Sequence, residues 1–377
     1  MSDRPADQTR PDALEADRLG RIAVHFSTVV GDPDQAENHY RQALLYDPGN
    51  ARNLANYAAF LATERRDLER ADEHYQQAIA ADPGDGFNIG SYAAFLSLSG
   101  QHDRAEELYE RAVAADPDNA TTLANFAAFE YHVRGDHDRA DELFAGALRA
   151  GPDDAHALAR YAVYLSMVKG DQDRAEATYR RAIEVHPKNA DLLGNYGAFL
   201  MNVRGDRDAA EQMVKRAVDA HPRDAANLAR YAGLLHLGGA SMDTVIEVSL
   251  RALEASDDDP DVLTNHAGYL LAAGDPDGFA FLGRAAALQG SASTQLEIAL
   301  YRFAHDPIPE HMRAGLSALK RLLVAEVRVS GWIFDRNVDE ALRSGHLESD
   351  LLVAVACVAE GRQPISTLER FGAWQDA

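Results

Sequence analysis

A row of hydrogen-bonding side chains recurs along the chain at intervals of 34 or 35 residues. Its members are Asn56, Ser91, Asn125, Arg160, Asn195, Arg230 and Asn265. An asparagine amide both donates and accepts, so it can bind the backbone of an extended peptide whatever the peptide's side chains are. An arginine guanidinium presents a fork of donors that suits a carboxylate or a phosphate. The chemistry of this row is recognition.

Catalytic and metal-binding patterns are absent from the sequence. It has no nucleophile-base set, no glycine-rich phosphate loop and no paired-histidine metal helix. The closest histidines, His132 and His137, are five residues apart and do not share a helix face. Cys357 is the only cysteine, so neither an intrachain disulfide nor a multi-cysteine zinc site can form. We therefore expect a protein that is not an enzyme and has no cofactor or metal.

The composition narrows the class of partner. The 377 residues include 60 acidic and 37 Lys or Arg side chains, which gives a formal net charge of −23. This charge repels nucleic acid and anionic membranes, and no run of 18 apolar residues predicts a membrane span. With 46% apolar residues, the chain can still bury a core. The polar first residues do not resemble a secretory signal, so we expect a cytoplasmic protein, and the alanine- and arginine-rich composition is typical of bacteria.

Prolines reveal the repeat that positions the row. They stand 34 or 35 residues apart at Pro48, Pro83, Pro117, Pro152, Pro187 and Pro222. Within each interval, two blocks carry apolar residues at steps of three and four, which is the spacing of one helix face. Each repeat is therefore predicted to be a pair of amphipathic helices.

Helix-start signals agree with this division. An Asn or Asp two residues after each proline is placed to cap the first helix, at Asn50, Asp85, Asn119, Asp154, Asn189 and Asp224. For the second helix we predict acidic capping boxes, in the pairs Asp34/Glu37, Asp103/Glu106, Asp138/Asp141, Asp173/Glu176 and Asp208/Glu211. Glycine-aspartate pairs such as Gly135-Asp136 are assigned to the turn between helices.

Residues 86–119 resemble a 34-residue tetratricopeptide repeat. The matching residues are Ile89, Tyr92, Ala93 and Leu96 on the first helix and Ala105, Tyr109, Ala112 and Pro117 on the second. Most of the neighbouring copies carry one extra residue in the inter-helix turn. Copies run from a degenerate one at 16–50, through good ones at 51–224, to a weaker one at 225–259 and a decayed one at 260–290.

The resemblance implies an all-α fold, an α-solenoid of about eight helix-turn-helix repeats that form a right-handed superhelix. It also implies that the first helices line a concave groove and that position six of each repeat faces a ligand. The expected peptide-binding residues are therefore Asn56, Asn125, Arg160, Asn195, Arg230 and Asn265. Small residues at positions five and nine predict a wide groove floor.

Structural alternatives stand beside this interpretation. Asparagine is common at position six of ordinary repeats and need not bind anything. Arg160 and Arg230 have neighbouring carboxylates in Asp191 and Asp261, with which they could pair. The extra rings at Phe60, Phe95, Phe129, Tyr164, Phe199 and Tyr269 are interpreted as core in preference to a ligand-stacking stripe.

The family's dicarboxylate clamp for chaperone tails is disfavoured. Asn125 and Arg160 match two of its five positions, but His156, Gly90 and Ala94 occupy the other three. The hypothesis that remains is that Arg160 and Arg230 each anchor an acidic or C-terminal group of a bound peptide.

The period fails after residue 290. Helices are predicted over 295–305, 310–327, 338–343 and 347–360, followed by a tail with Trp374. We divide the chain into a disordered polar N-terminus (1–15), a repeat array (16–290) and a C-terminal helical capping segment (291–377), since a solenoid end must cover its last apolar face.

The expected function is a scaffold or adaptor that binds a peptide or partner protein in the groove. Two alternatives remain open: a regulatory sensor whose array changes curvature on binding, and a self-assembling repeat protein.

Overall fold

The structure, a computed structural model, describes residues 6–288, 290–329 and 334–377. All regular secondary structure in these ranges is helical. The α-helices there are α1 (Ala6–His25), α2 (Pro33–Tyr46), α3 (Ala51–Thr63), α4 (Leu68–Ala81), α5 (Gly86–Leu98), α6 (His102–Ala115), α7 (Ala120–Phe129), α8 (His137–Ala150), α9 (Ala155–Met167), α10 (Gln172–Val185), α11 (Ala190–Phe199), α12 (Arg207–Ala220), α13 (Ala225–Leu237), α14 (Met242–Ala255), α15 (Pro260–Ala272), α16 (Gly278–Ala287), α17 (Ala292–His305), α18 (Pro309–Val324), α19 (Asp335–Arg343), α20 (Ser349–Ala359) and α21 (Gly372–Asp376).

Contacts divide the chain into two compact units, Met1–Leu192 and Leu193–Ala377. In the first unit, helices pair as α1/α2, α3/α4, α5/α6, α7/α8 and α9/α10. The first helices of these pairs, α1, α3, α5, α7 and α9, lie side by side in chain order. The predicted all-α solenoid of helix pairs is confirmed, and the first helices α3, α5, α7 and α9 begin at the residues that open the predicted repeats.

The first helices are capped as predicted. Asn50 Oδ1 accepts from the Asn53 amide at 3.1 Å, and Asp85 Oδ1 accepts from the Asn88 amide at 3.1 Å. The same contact recurs at Asn119, Asp154, Asn189 and Asp224. These side chains satisfy backbone donors that have no partner within the helix, which fixes where each first helix begins.

The predicted capping boxes of the second helices are wrong by two residues. The side chain of Asp136 caps α8 by accepting from the Arg139 amide at 2.9 Å, where we had expected Asp138. Asp32, Asp171 and Asp206 likewise replace the predicted Asp34, Asp173 and Asp208, and the residue at the start of α6, Gln101, makes no capping bond. The glycine before the cap sets this register, because Gly135 adopts φ +71° and ends the preceding helical turn.

The extra residue of the longer repeats is absorbed in three of the described copies by a π-helical turn, the first of which is Phe26–Val30 after α1. Residues Glu130–Arg134 follow α7 and Leu200–Arg204 follow α11 in this conformation, and each turn ends at a left-handed glycine. A π turn accommodates one residue more than an α turn, so the second helix keeps its place in the stack.

Stacked rings form the core of the first unit. Tyr40 and Tyr57 have ring centroids 5.3 Å apart, and Tyr40 also packs against Phe60 at 5.5 Å. The next two repeats repeat this triad with Tyr75, Tyr92 and Phe95, and with Tyr109, Phe126 and Phe129. The extra rings are buried, at 7% exposure or less. Their interpretation as inter-repeat core is confirmed.

A basic side chain after several first helices joins neighbouring repeats. Arg65 donates to Glu37 at 2.8 Å and to Asp34 at 2.6 Å while lying 5.6 Å from the centre of the Phe60 ring. Arg134 makes the same pair of contacts with Asp103 and Glu106, and Lys169 contacts Asp141. Acidic residues that we assigned to helix capping therefore bind the next repeat instead.

In the second unit one core continues beyond the repeats, from Val218 to Trp374. Helices α17 and α18 form a further pair, and α19 packs on α15 and α17. The buried Asn337 of α19 donates through Nδ2 to the Gly268 carbonyl at 2.9 Å. The four predicted C-terminal helices correspond to α17 to α20, with ends shifted by up to three residues.

The N-terminus differs from expectation. Residues 1–5 of the predicted disordered segment lie outside the described residues, whereas residues 6–15 form the first part of α1. Ala13, Leu14, Glu15 and Ala16 favour helix, and they belong to α1, which packs against α2.

Candidate peptide-binding face

Position six of each repeat lies on the exposed side of a first helix. Asn56, Ser91, Asn125 and Arg160 occupy α3, α5, α7 and α9 of the first unit, and each is partly exposed. We call this surface the first-helix face of the first unit. In the second unit, Asn195 and Asn265 are partly exposed and Arg230 is exposed. Of the row, Ser91 is satisfied locally, because its hydroxyl donates to the Phe87 carbonyl at 2.9 Å.

Two neighbouring first helices bring three polar side chains together on this face. His156 Nε2 lies 2.7 Å from Asn125 Oδ1, and Arg160 Nε donates to His156 Nε2 at 2.8 Å. Asn125 comes from α7, whereas His156 and Arg160 are one turn apart on α9. From the sequence, His156 was a mismatch to the chaperone clamp, whereas in the structure its Nε2 accepts a hydrogen bond from the Arg160 guanidinium.

Burial and the Arg160 guanidinium lower the pKa values of the histidines near this cluster. The surrounding chain partly buries the His156 ring, although the residue remains exposed to solvent. This burial and the nearby Arg160 guanidinium lower the pKa of His156 to about 4. Burial and Arg160 also lower the pKa of His132. At neutral pH both imidazoles are uncharged, so Arg160 carries the positive charge of the cluster.

The predicted alternative partners of the arginines do not bind them. Within the described residues, Arg160 forms no ion pair, and its one hydrogen bond is to His156. Arg230 donates to Asn227 Oδ1 at 3.0 Å, while the neighbouring Asp261 accepts from the Thr294 hydroxyl. Both guanidiniums therefore keep donors available for an external carboxylate.

The expected groove floor at position five is closed except at Ala159, which is partly exposed. Gly90, Ala55, Ala124 and Gly194 are buried, and a Cβ at Gly194 would lie 2.0 Å from the Asn227 side chain. Small residues are needed there because position three of the next first helix packs against them. At position nine, by contrast, Ala59, Ala94, Val163 and Ala198 are partly exposed and Ala128 is buried.

The sequence analysis missed two arginines near the start of the face. Arg21 of α1 and Arg52 of α3 are exposed and line a pocket of about 140 Å³ with Asn56. Asp17 also lines this pocket and accepts from Asn50 Nδ2 at 3.1 Å. Arg21 stands at position six of the degenerate first copy, so extending the row by one repeat would have found it.

A carboxyl group extends the row at its other end. Counting from the first residue of α17, Glu297 stands at position six, after Arg230 and Asn265. Burial and the nearby Asp261 raise the pKa of Glu297 to about 8. The row in the second unit thus changes from a guanidinium to an amide and then to a carboxyl group, which the failing sequence period concealed.

The second unit also contains a cleft of about 1460 Å³ lined by α16, α17 and α18. Its walls mix apolar side chains such as Phe279, Ile298 and Met312 with Arg302 and Arg321. Across the described ranges, no three His, Cys, Asp or Glu side chains are grouped as metal ligands. None of the helices described has both the length and the apolar character needed to cross a bilayer.

Comparisons with known proteins identify the repeat. Residues 30–86 and 98–155 match a family described as tetratricopeptide repeat, and residues 152–227 match one described as TmcB, TPR repeats. The chain belongs to the tetratricopeptide repeat family. Proteins of this family are generally non-catalytic scaffolds that bind other proteins.

Several solved structures are similar to this tetratricopeptide repeat protein. A chain of the APC/C hetero-tetramer Cut9-Hcn1 has a TM-score of 0.53 at 16% identity, over 75% of this chain and 54% of that one. The structure of Pseudomonas aeruginosa pilF has a TM-score of 0.40 at 21% identity, and the match covers 58% of this chain and 96% of that one. A tetratricopeptide repeat protein from Parabacteroides merdae has a TM-score of 0.42 at 18% identity, and the match covers 64% of this chain and 94% of that one. No curated protein matches the sequence.

Proposed function

We propose that this tetratricopeptide repeat protein is a non-catalytic scaffold or adaptor that holds a peptide segment of a partner protein on its first helices. The proposed contacts are the position-six residues Asn56, Asn125, Arg160, Asn195, Arg230 and Asn265. The cluster of Asn125, His156 and Arg160 carries the proposal, because a guanidinium oriented by a neutral imidazole, without a carboxylate among the described residues, is set up to bind an external one.

The amide beside the guanidinium adds a second kind of contact. Asn125 can bind a peptide backbone while Arg160 binds a carboxylate, so one segment can satisfy both groups at once. A cytoplasmic location is part of the proposal and is supported by the single cysteine, Cys357, which suits a reducing compartment. Nucleic acid is not a proposed partner, because the net charge of −23 opposes it.

Affinity capture from the native cell tests this function. The bait is the full chain, as wild type and with Asn125→Ala plus Arg160→Ala. A matched control carries Arg111→Ala plus Arg149→Ala, which removes exposed arginines from the second helices α6 and α8. We expect the bait with Asn125→Ala plus Arg160→Ala to lose the specific partner and the control bait to retain it. Identical partner lists for all three baits would contradict the proposal.

A further inference from the structure

The first-helix face of the first unit has a second basic site, at its N-terminal end. Arg21 and Arg52 approach the same small pocket from α1 and α3, with the Asn56 amide beside them. Within the described residues neither arginine makes an ion pair or a side-chain hydrogen bond, and the nearby Asp17 is bound by Asn50. Two guanidiniums and an amide around one pocket have the donors that a carboxylate requires.

An exposed ring lies between this pocket and the Arg160 cluster. Phe87 stands at position two of α5, the helix between α3 and α7, and is 47% exposed. Position two also holds Arg52 on α3 and His156 on α9, so the ring belongs to the same surface. Unlike the stacked rings of the core, Phe87 is available to an apolar side chain of a ligand.

The helix order sets the distance between the two basic sites. One site lies between α1 and α3 and the other between α7 and α9, which is three steps along a layer of adjacent first helices. Packed helices are about 8–10 Å apart, so the sites are roughly 24–30 Å apart. An extended peptide advances about 3.3 Å per residue, so about seven to nine residues span this distance.

We propose that the first unit binds an extended peptide segment with two carboxylates about eight residues apart and an apolar side chain between them. This inference rests on the proposed function and specifies its ligand. One carboxylate binds Arg21 and Arg52, the other binds Arg160, and the apolar side chain packs on Phe87. The Asn56 and Asn125 amides contact the intervening backbone.

Binding of synthetic peptides to the full-length protein tests this specification. The probe is a fluorescein-labelled peptide of serines and threonines, with two aspartates eight positions apart and a leucine midway. One comparison peptide has both aspartates replaced by asparagine, and another has them four positions apart. Fluorescence anisotropy at low salt gives the affinities, because added salt screens exposed charges.

We expect the eight-position peptide to bind about fivefold tighter for each carboxylate it retains, the upper range for exposed ion pairs. Arg21→Gln, Arg52→Gln and Arg160→Gln together should remove this preference, whereas Arg111→Gln plus Arg149→Gln should not. Far-ultraviolet circular dichroism of each variant shows whether it is folded.

Three results would overturn the inference: equal affinity for the asparagine peptide, equal affinity for the four-position peptide, or no binding by any peptide. Each leaves the proposed function to be judged by native capture, since another peptide could occupy the same face. If the Asn125 and Arg160 variant lost its partner in native capture while the peptides showed no carboxylate preference, the proposed function would stand and the two-carboxylate ligand would be wrong.

Discussion

Two histidines with lowered pKa values, His236 and His305, link the stability of the second unit to pH. Burial and the nearby Arg336 lower the pKa of His236 to about 4, and burial and His346 do the same for His305. A histidine in an unfolded chain has a pKa of about 6.5, so the unfolded state binds more protons. The free energy of unfolding should therefore fall as the pH is lowered from about 6.5 to about 4.

The variant His236→Leu tests this linkage. His236 is 3% exposed and its ring lies 5.2 Å from that of Tyr269, so leucine keeps the contact apolar. Between pH 7 and pH 5, the variant should lose about 2 kcal/mol less stability than the wild type. Urea denaturation of the full chain at both pH values measures the difference. An unchanged pH dependence would show that His236 does not bind an additional proton on unfolding.

Individual site residues were only partly predictable. The repeat period locates Asn125 and Arg160, because position six recurs in every copy. It does not show that His156 accepts from Arg160 and lies against Asn125, since that arrangement depends on how two first helices pack. Arg21 and Glu297 were missed where the repeat motif decays, although the helices continue there in register.

At the scale of the helix, a single cap distinguishes the observed start of α8 from the predicted one. Asp136 accepts from a backbone amide, whereas Asp138 is an exposed residue of the first turn. We expect Asp136→Ala to lower the free energy of unfolding by about 1 kcal/mol and Asp138→Ala to change it by less than about 0.5 kcal/mol. Thermal unfolding of both variants measures these two effects. A larger effect at Asp138 would show that Asp138, as predicted from the sequence, caps α8.

The packing of α15 on α17 has a similar matched test. A Cβ at Gly268 would lie 2.6 Å from the buried Tyr301 ring, whereas one at Gly283 of α16 meets nothing within 4 Å. Gly268→Ala should cost about 1–3 kcal/mol by overpacking, although alanine favours helix. Gly283→Ala should stabilise by up to about 1 kcal/mol. Equal effects in chemical denaturation would mean that the two helices are not this close.

Helix positions were more predictable than helix ends. Periodic apolar residues and the Pro-x-Asn or Pro-x-Asp turn locate every first helix from α3 to α13. The second helices α2, α8, α10 and α12 begin with two aspartates two residues apart, as at Asp136 and Asp138, and local preference does not distinguish them. The left-handed glycine before the first aspartate decides the register, and that conformation belongs to the folded chain.

Over the whole molecule, the net charge of −23 is a poor description of the proposed binding surface, the first-helix face of the first unit. Acidic residues such as Asp103 and Glu106 bind a basic side chain of the next repeat, and Asp136 caps a helix. The first-helix face of the first unit retains Arg21, Arg52 and Arg160. Long-range repulsion of nucleic acid and local attraction of a peptide carboxylate are therefore compatible, because solvent screens distant charges.

The central claim is that the partner lies on the first-helix face of the first unit. Site-specific photo-crosslinking in the native cell tests it directly, with a photoreactive amino acid in place of Ser91 on α5 or Arg149 on α8. The account predicts a discrete adduct from the Ser91 position that Arg160→Glu suppresses, and none from the Arg149 position. An adduct formed only at Arg149, or equally at both, would contradict it.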